Sequence, residues 1–255
     1  MLLAIDAGNT NIVFAVCDKG EVRVQWRATT KPSRTADEHA VWLAELLALQ
    51  KLSFKDLNQA IIATVVPAAL FDLRSMCRKY LNCDPQVVGD ANVKLGLNVK
   101  VDRPDAVGAD RLINAVAAHD RYKGPLIVVD FGTATTFDIV NDKGDYEGGV
   151  IAPGVNLSAE ALHQAAAMLP RVAIARTEKV IGKDTVPAMQ SGIYWGYVSL
   201  IEGLVTRIKA EYAKPMKVIA TGGLANLFHK QIAVIDQVDP DLTIRGLILV
   251  HARNS

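Results

Sequence analysis

The sequence predicts an α/β protein built from two related halves, and three observations carry that expectation. The stretch "LAIDAGNTNIVFAVCDKGEV", from Leu3, returns as "LIVVDFGTATTFDIVNDKGDY", from Leu126. Asp6 then matches Asp130, Gly8 matches Gly132, Val16 matches Val140, and Asp18-Lys19-Gly20 matches Asp142-Lys143-Gly144. A second pair follows in the same order: "IIATVVPAALF" from Ile61 resembles "VIATGGLANLF" from Val218. Between these elements lie stretches with helical spacing of apolar residues, so strands and helices alternate in each half.

The elements can be justified in chain order. Each copy of the repeated stretch is an apolar run, a tight glycine-containing turn, a second apolar run and a polar turn, which is the pattern of a β-hairpin. "VRVQWRATT" continues the first hairpin as a third strand by alternation. "TADEHAVWLAELLALQKL" then reads as a helix, with Thr35 as N-cap and Glu38 at the third helical position. The Ile61 strand runs into another helix, a short strand surrounds Val87, and "ADRLINAVAAHDRY" closes the first half as a helix. In the second half, "SAEALHQAAAML" and "MQSGIYWGYVSLIEGLVTRIKAEY" are helical, the latter weakened by Gly192, Gly196 and Gly203. The expected domains are residues 1–118 and 119–255, facing a cleft.

Composition excludes several functions. Half of the 255 residues are hydrophobic and 22% are charged, as in globular proteins with a substantial core. The net charge of +1 points away from nucleic acid or an anionic membrane as the main partner. "MLLAI" meets Asp6 too soon for a signal-peptide core, and the apolar run from Ala60 to Phe71 is too short to span a bilayer, so a cytoplasmic protein is expected. Cys17, Cys77 and Cys83 form no CxxC pair, and the histidines are scattered without metal-ligand spacing.

The chemistry gathers at the turns. In "DAGNTN", main-chain N–H groups around Gly8 and the side chains of Asn9, Thr10 and Asn11 are donors suited to phosphate oxygens. Asp6, at a strand end, suits a magnesium ion that keeps most of its waters. Taken alone this stretch is equally an ordinary polar turn. Its twin "DFGTATT" makes two such loops, able to grip a polyphosphate together. Where the first half has Val65-Val66, the second has Gly222-Gly223, which lets a ligand approach the main chain. The second half alone is therefore expected to take the adenosine part of a nucleotide. Asp110 and Arg111, in "VGADR", fall in the first turn of a helix, where negative charge is favoured and Asp110 is expected to stay ionised.

Two duplicated halves with such hairpins and a late Thr-Gly-Gly resemble the acetate-kinase, sugar-kinase, Hsp70 and actin superfamily. Within it, "DAGNTN", "VGADR", "DFGTATT", "GGVIAPG" at 148–154, "GKDT" at 182–185 and "TGG" at 221–223 resemble the type III pantothenate kinases in order and approximate spacing, over essentially the whole chain. The resemblance implies two ribonuclease H-like (actin-like ATPase) domains, each a mixed β-sheet with flanking helices. It implies ATP and Mg2+ as cofactors, held through Asp6, Gly8, Asn9, Thr10, Asn11, Thr133, Gly222 and Gly223. Asp130 would help bind a monovalent cation, K+ or NH4+. Asp110 would accept the proton of pantothenate's primary hydroxyl, Arg111 would pair with its carboxylate, and Gly108 and Ala109 would leave room and offer backbone contacts. Thr185 would reach the substrate from a partner subunit, making the protein a homodimer. Relatives often carry a tyrosine just before the GADR motif; here "VKVDRPDAVGADR" has none, and Val99 or Val101 is expected to fill its volume. A kinase for another small acceptor and a non-catalytic ATP-binding regulator remain the competing readings.

Overall fold

The structure, a computed structural model, describes all 255 residues. The chain forms two compact units. The first comprises Met1–Asn98, Asp102–Ala117 and Asp241–Ser255; the second comprises Val99–Val101 and Ala118–Pro240.

The first unit holds β1 (Leu2–Ala7), β2 (Asn11–Asp18), β3 (Glu21–Thr29), β4 (Gln59–Thr64) and β5 (Gln86–Val87), ordered β3-β2-β1-β4-β5. β1 runs antiparallel to β2 and parallel to β4, so the sheet is mixed. Its helices begin with α1 (Ala36–Leu49), α2 (Pro67–Met76) and α3 (Ala109–Tyr122). The near-continuous apolar run of β1 follows from burial on both faces. Leu3 and Ile5 join Leu43, Leu47 and Leu73 in one cluster, while Leu2 and Ala4 join Ile61, Ile113 and Val116 in another. α1 has the expected capping box: the Thr35 hydroxyl accepts the Glu38 N–H at 3.3 Å, and the Glu38 carboxylate accepts the Thr35 N–H at 2.8 Å.

The second unit holds β6 (Leu126–Phe131), β7 (Ala134–Val140), β8 (Tyr146–Pro153), α4 (Val155–Ala165), α5 (Thr185–Tyr212), β9 (Lys217–Gly222), α6 (Ala225–Phe228) and β10 (Gln237–Val238). Its strand order, β8-β7-β6-β9-β10, repeats that of the first unit strand for strand. Gly20 and Gly144, closing the two repeated stretches, share a φ of +87°. Ile127, Val129, Phe131 and Phe137 pack against Tyr194, Ile201 and Val205 of α5. The glycines of α5 do not break it, because tertiary burial of this face outweighs their propensity cost.

The boundary expected at 118/119 needs correction at the carboxyl end. Helix α7 (Leu242–Arg253) belongs to the first unit, not to a second domain spanning 119–255. Ile244, Leu247 and Val250 complete the cluster over Leu2, Ala4, Ile61 and Ala63. Gly246 lets α7 approach the backbone of α3, since a Cβ there would collide with the Ile113 carbonyl oxygen. Ile113 and Val116 of α3 cover part of that sheet face, and a distant segment completes it. No helix is long and apolar enough to cross a membrane.

Candidate active site

The first hairpin brings its expected residues into one tight turn. Register pairs Asp6 with Val13 and Ala7 with Ile12, and the Gly8 N–H donates to the Asn11 carbonyl at 3.0 Å. Asp6 and Gly8 are half-buried, while Asn9, Thr10 and Asn11 are exposed. Thr30, just beyond β3, was not anticipated. Its hydroxyl donates to the Gly8 carbonyl at 2.6 Å and its N–H to the Thr10 carbonyl at 3.0 Å, bracing the turn from behind. Those bonds turn two carbonyls away from any anion approaching the donor side.

The second hairpin closes more tightly, with three residues between its last paired positions where the first has four. The Gly132 N–H donates to the Ala134 carbonyl at 3.0 Å, and Asp130 pairs with Thr136 on one side and with Thr221 on the other. Gly222 stands beside Phe131 at φ +90°. A Cβ on Gly222 would collide with the Asp130 carboxylate and lie 2.7 Å from the Phe131 nitrogen. The second aspartate and Gly222 therefore meet at one point, although they lie far apart in the sequence. Gly223 has open space where a side chain would be. Gly154, at the start of α4, was read only as part of a glycine-rich loop. It lies directly under the hairpin tip, its Cβ position occupied by the Thr133 and Gly132 carbonyl oxygens.

The acceptor residues form their own group in the first unit. Gly108, Ala109, Asp110 and Arg111 lead into α3 and are all half-buried. The Gly108 carbonyl accepts the N–H groups of Arg111 (3.2 Å) and Leu112 (3.3 Å), while Asp110 Oδ1 accepts the Arg111 N–H at 2.8 Å. A Cβ on Gly108 would lie 2.6 Å from Asp110 Oδ1 and 3.4 Å from Val65 Cγ1. Val65, aligned with Gly222 in the repeat, thus stands beside Gly108. The helix terminus favours the charged form of Asp110, and burial works against it. Burial raises its pKa above the usual aspartate value, outweighing the Arg111 amide and guanidinium that oppose the shift. Thr185, in the second unit, is exposed at the start of α5, where the Asp184 carboxylate caps its N–H at 2.7 Å.

The sequence model of type III pantothenate kinases matches residues 2–207. A type III pantothenate kinase of Paramagnetospirillum magneticum is 63% identical over the whole of this chain and 98% of its own, and one of Rhodospirillum rubrum is 61% identical over 100% and 99%. The chain belongs to the type III pantothenate kinase family. Solved structures share the fold at low identity. The activator of 2-hydroxyisocaproyl-CoA dehydratase from Clostridium difficile superposes with a TM-score of 0.55 at 11% identity, covering 99% of this chain and 95% of that one. An inorganic polyphosphate/ATP-glucomannokinase from Arthrobacter gives 0.51 at 16%, covering 99% and 98%. The two mixed sheets are those of the duplicated ribonuclease H-like, actin-like ATPase fold. A type III pantothenate kinase uses ATP and with it a divalent metal. The donor chemistry of the first hairpin fits that need: a single carboxylate at a strand end, Asp6, suits a hard cation that keeps most of its waters.

Proposed function

We propose that this protein transfers the γ-phosphate of ATP to the primary hydroxyl of pantothenate, giving 4′-phosphopantothenate, the first step of coenzyme A biosynthesis. The full-length likeness to type III pantothenate kinases carries the reading. Asp110 orients the hydroxyl and takes its proton late, since the transition state of phosphoryl transfer is loose. Its raised pKa suits it to accept that proton. Arg111 presents a planar fork of donors to the pantothenate carboxylate, a match that a lysine would not reproduce. Gly108 and Ala109 keep the approach open.

The phosphates are held at the turn that Gly8 opens, by Asn9, Thr10 and Asn11, and by Thr133, with Gly222 and Gly223 beneath the adenosine. Mg2+, held through Asp6 and its waters, would supply charge neutralisation on the phosphates. Asp130 would take K+ or NH4+; its carboxylate lies against the Gly222 and Phe131 backbone. Chromatography of wild type with ATP, pantothenate and Mg2+ is expected to yield 4′-phosphopantothenate, with at least a tenfold loss when K+ and NH4+ are withheld. Folded, ATP-binding protein that yields no product would overturn the assignment and favour another acceptor or a regulatory role. A biosynthetic enzyme of this kind belongs in the cytoplasm.

The functional form is a homodimer in which Thr185 reaches the partner's substrate. Supporting this, Ile151, Met168, Val180, Ile181 and Val186 are exposed on β8, beyond α4 and around the start of α5, the same region as Thr185. Ile181→Asp is expected to shift sedimentation from dimer to monomer and raise the KM for pantothenate; a wild type that sediments as a monomer at assay concentration would refute the composite site.

A further inference from the structure

Residues Val99–Val101 belong to the second unit although the segments flanking them belong to the first. They lie along β8 as a short parallel strap: Val99 bridges to Tyr146, and the Lys100 N–H donates to the Tyr146 carbonyl at 2.8 Å. β8 is an end strand, so the strap covers an otherwise open sheet edge. So few backbone bonds specify register weakly, and a slip of one residue would exchange the faces of Lys100 and Val101.

Side chains supply the missing specification. Lys100 Nζ lies 2.7 Å from Asp145 Oδ2 and 4.0 Å from Glu147 Oε1. The Asp145 side chain is only 8% exposed. Asn141 steadies both acids, accepting the Asp145 N–H at 2.9 Å and donating to Glu147 Oε1 at 2.8 Å. Hydrogen bonding to Asp145 raises the pKa of Lys100, so the ammonium is retained. Val101 meanwhile covers Gly148, its Cγ1 3.7 Å from where a Cβ would stand. A charge pair through Lys100 and an apolar contact through Val101 together select one register.

We propose that Lys100 is a positioning residue for the acceptor site, fixing through Asp145 the register of the strap that feeds Gly108–Arg111. The chain leaves Val101, turns through Pro104–Ala106 and reaches Gly108, whose carbonyl anchors the first turn of α3. A released strap leaves this approach as a free loop. Ordering it again costs conformational entropy, which acceptor binding would then have to offset. The ion pair therefore acts on pantothenate and leaves ATP unaffected. The inference rests on the pantothenate kinase reading.

The test is steady-state kinetics on the full-length protein, varying each substrate in turn. Lys100→Met is expected to raise the KM for pantothenate about tenfold, the size of one charge-assisted hydrogen bond, with the KM for ATP within about twofold. Lys100→Arg should recover to within about threefold, because it restores charge and reach. The near-isosteric Asp145→Asn should reproduce the Lys100→Met effect and carry the test if Lys100→Met does not fold. The double variant should be no worse than either single one. Inactive wild type would sink the function reading and this inference with it. Active wild type with an unchanged pantothenate KM in the variants, equal shifts for both substrates, or no recovery with arginine would overturn this inference alone.

Discussion

Asp110→Asn is expected to lower kcat about a hundredfold while ATP binding persists. General-base assistance spans about a hundredfold to ten-thousandfold, and the loose transition state of phosphoryl transfer places the loss at the low end. The pH dependence makes the test sharper. Asp110 accepts a proton only when ionised, so kcat/KM should fall on the acid side through its pKa, which burial places above that of an ordinary aspartate. The Asn variant should lack that limb. Stability should move the other way. An acid whose pKa is raised by folding is bound to its proton more tightly in the native state, so native stability falls as pH rises through the interval between the unfolded and folded values. Removing the charge should then leave the melting temperature at neutral pH unchanged or higher, a trade of stability for activity. A folded variant with kcat within about threefold of wild type would sink the assignment of Asp110 as base.

Gly222→Ala is expected to damage fold and nucleotide binding together, whereas its neighbour Gly223→Ala spares the fold. At Gly222 the backbone is at φ +90°, and a Cβ would collide with the Asp130 carboxylate and the Phe131 backbone. Backbone strain costs about 1–3 kcal/mol and overpacking a similar amount, so a loss of about 3 kcal/mol is expected. For a chain of this size that is a fall of about 6–12 °C in melting temperature. The KM for ATP should rise with it, because the collision displaces Asp130. Gly223 has neither a positive φ nor a neighbour in its Cβ position. Its alanine variant should melt within about 2 °C of wild type and affect only ATP affinity. Equal melting temperatures for the two variants would contradict the geometry described at Gly222.

Much of this architecture could be read from sequence because it is written twice. Matching Asp6 with Asp130 and Gly8 with Gly132 anticipated two related α/β halves, and Thr35 with Glu38 announced the start of α1. Those signals are local, each contained within a turn or a strand. The features that escaped depend on distant segments. α7 resembles any amphipathic helix until Ile244 and Leu247 are seen over Leu2 and Ala4. Gly154 looks like one glycine among several, and only the Thr133 carbonyl beneath it explains the requirement. The position of Asp110 in a first helical turn argued for an easily ionised acid; its burial beside Gly108 and Val65 comes from packing that spacing does not encode.

The placement of α7 also bears on how the polypeptide emerges from the ribosome. Domains ordinarily fold in order of synthesis, the amino-terminal one first. Here the face of the first sheet formed by Leu2, Ala4, Ile61 and Ala63 waits for Ile244, Leu247 and Val250. The first unit begun is thus the last to close, because the cluster that Ile113 and Val116 begin to cover is completed only by α7.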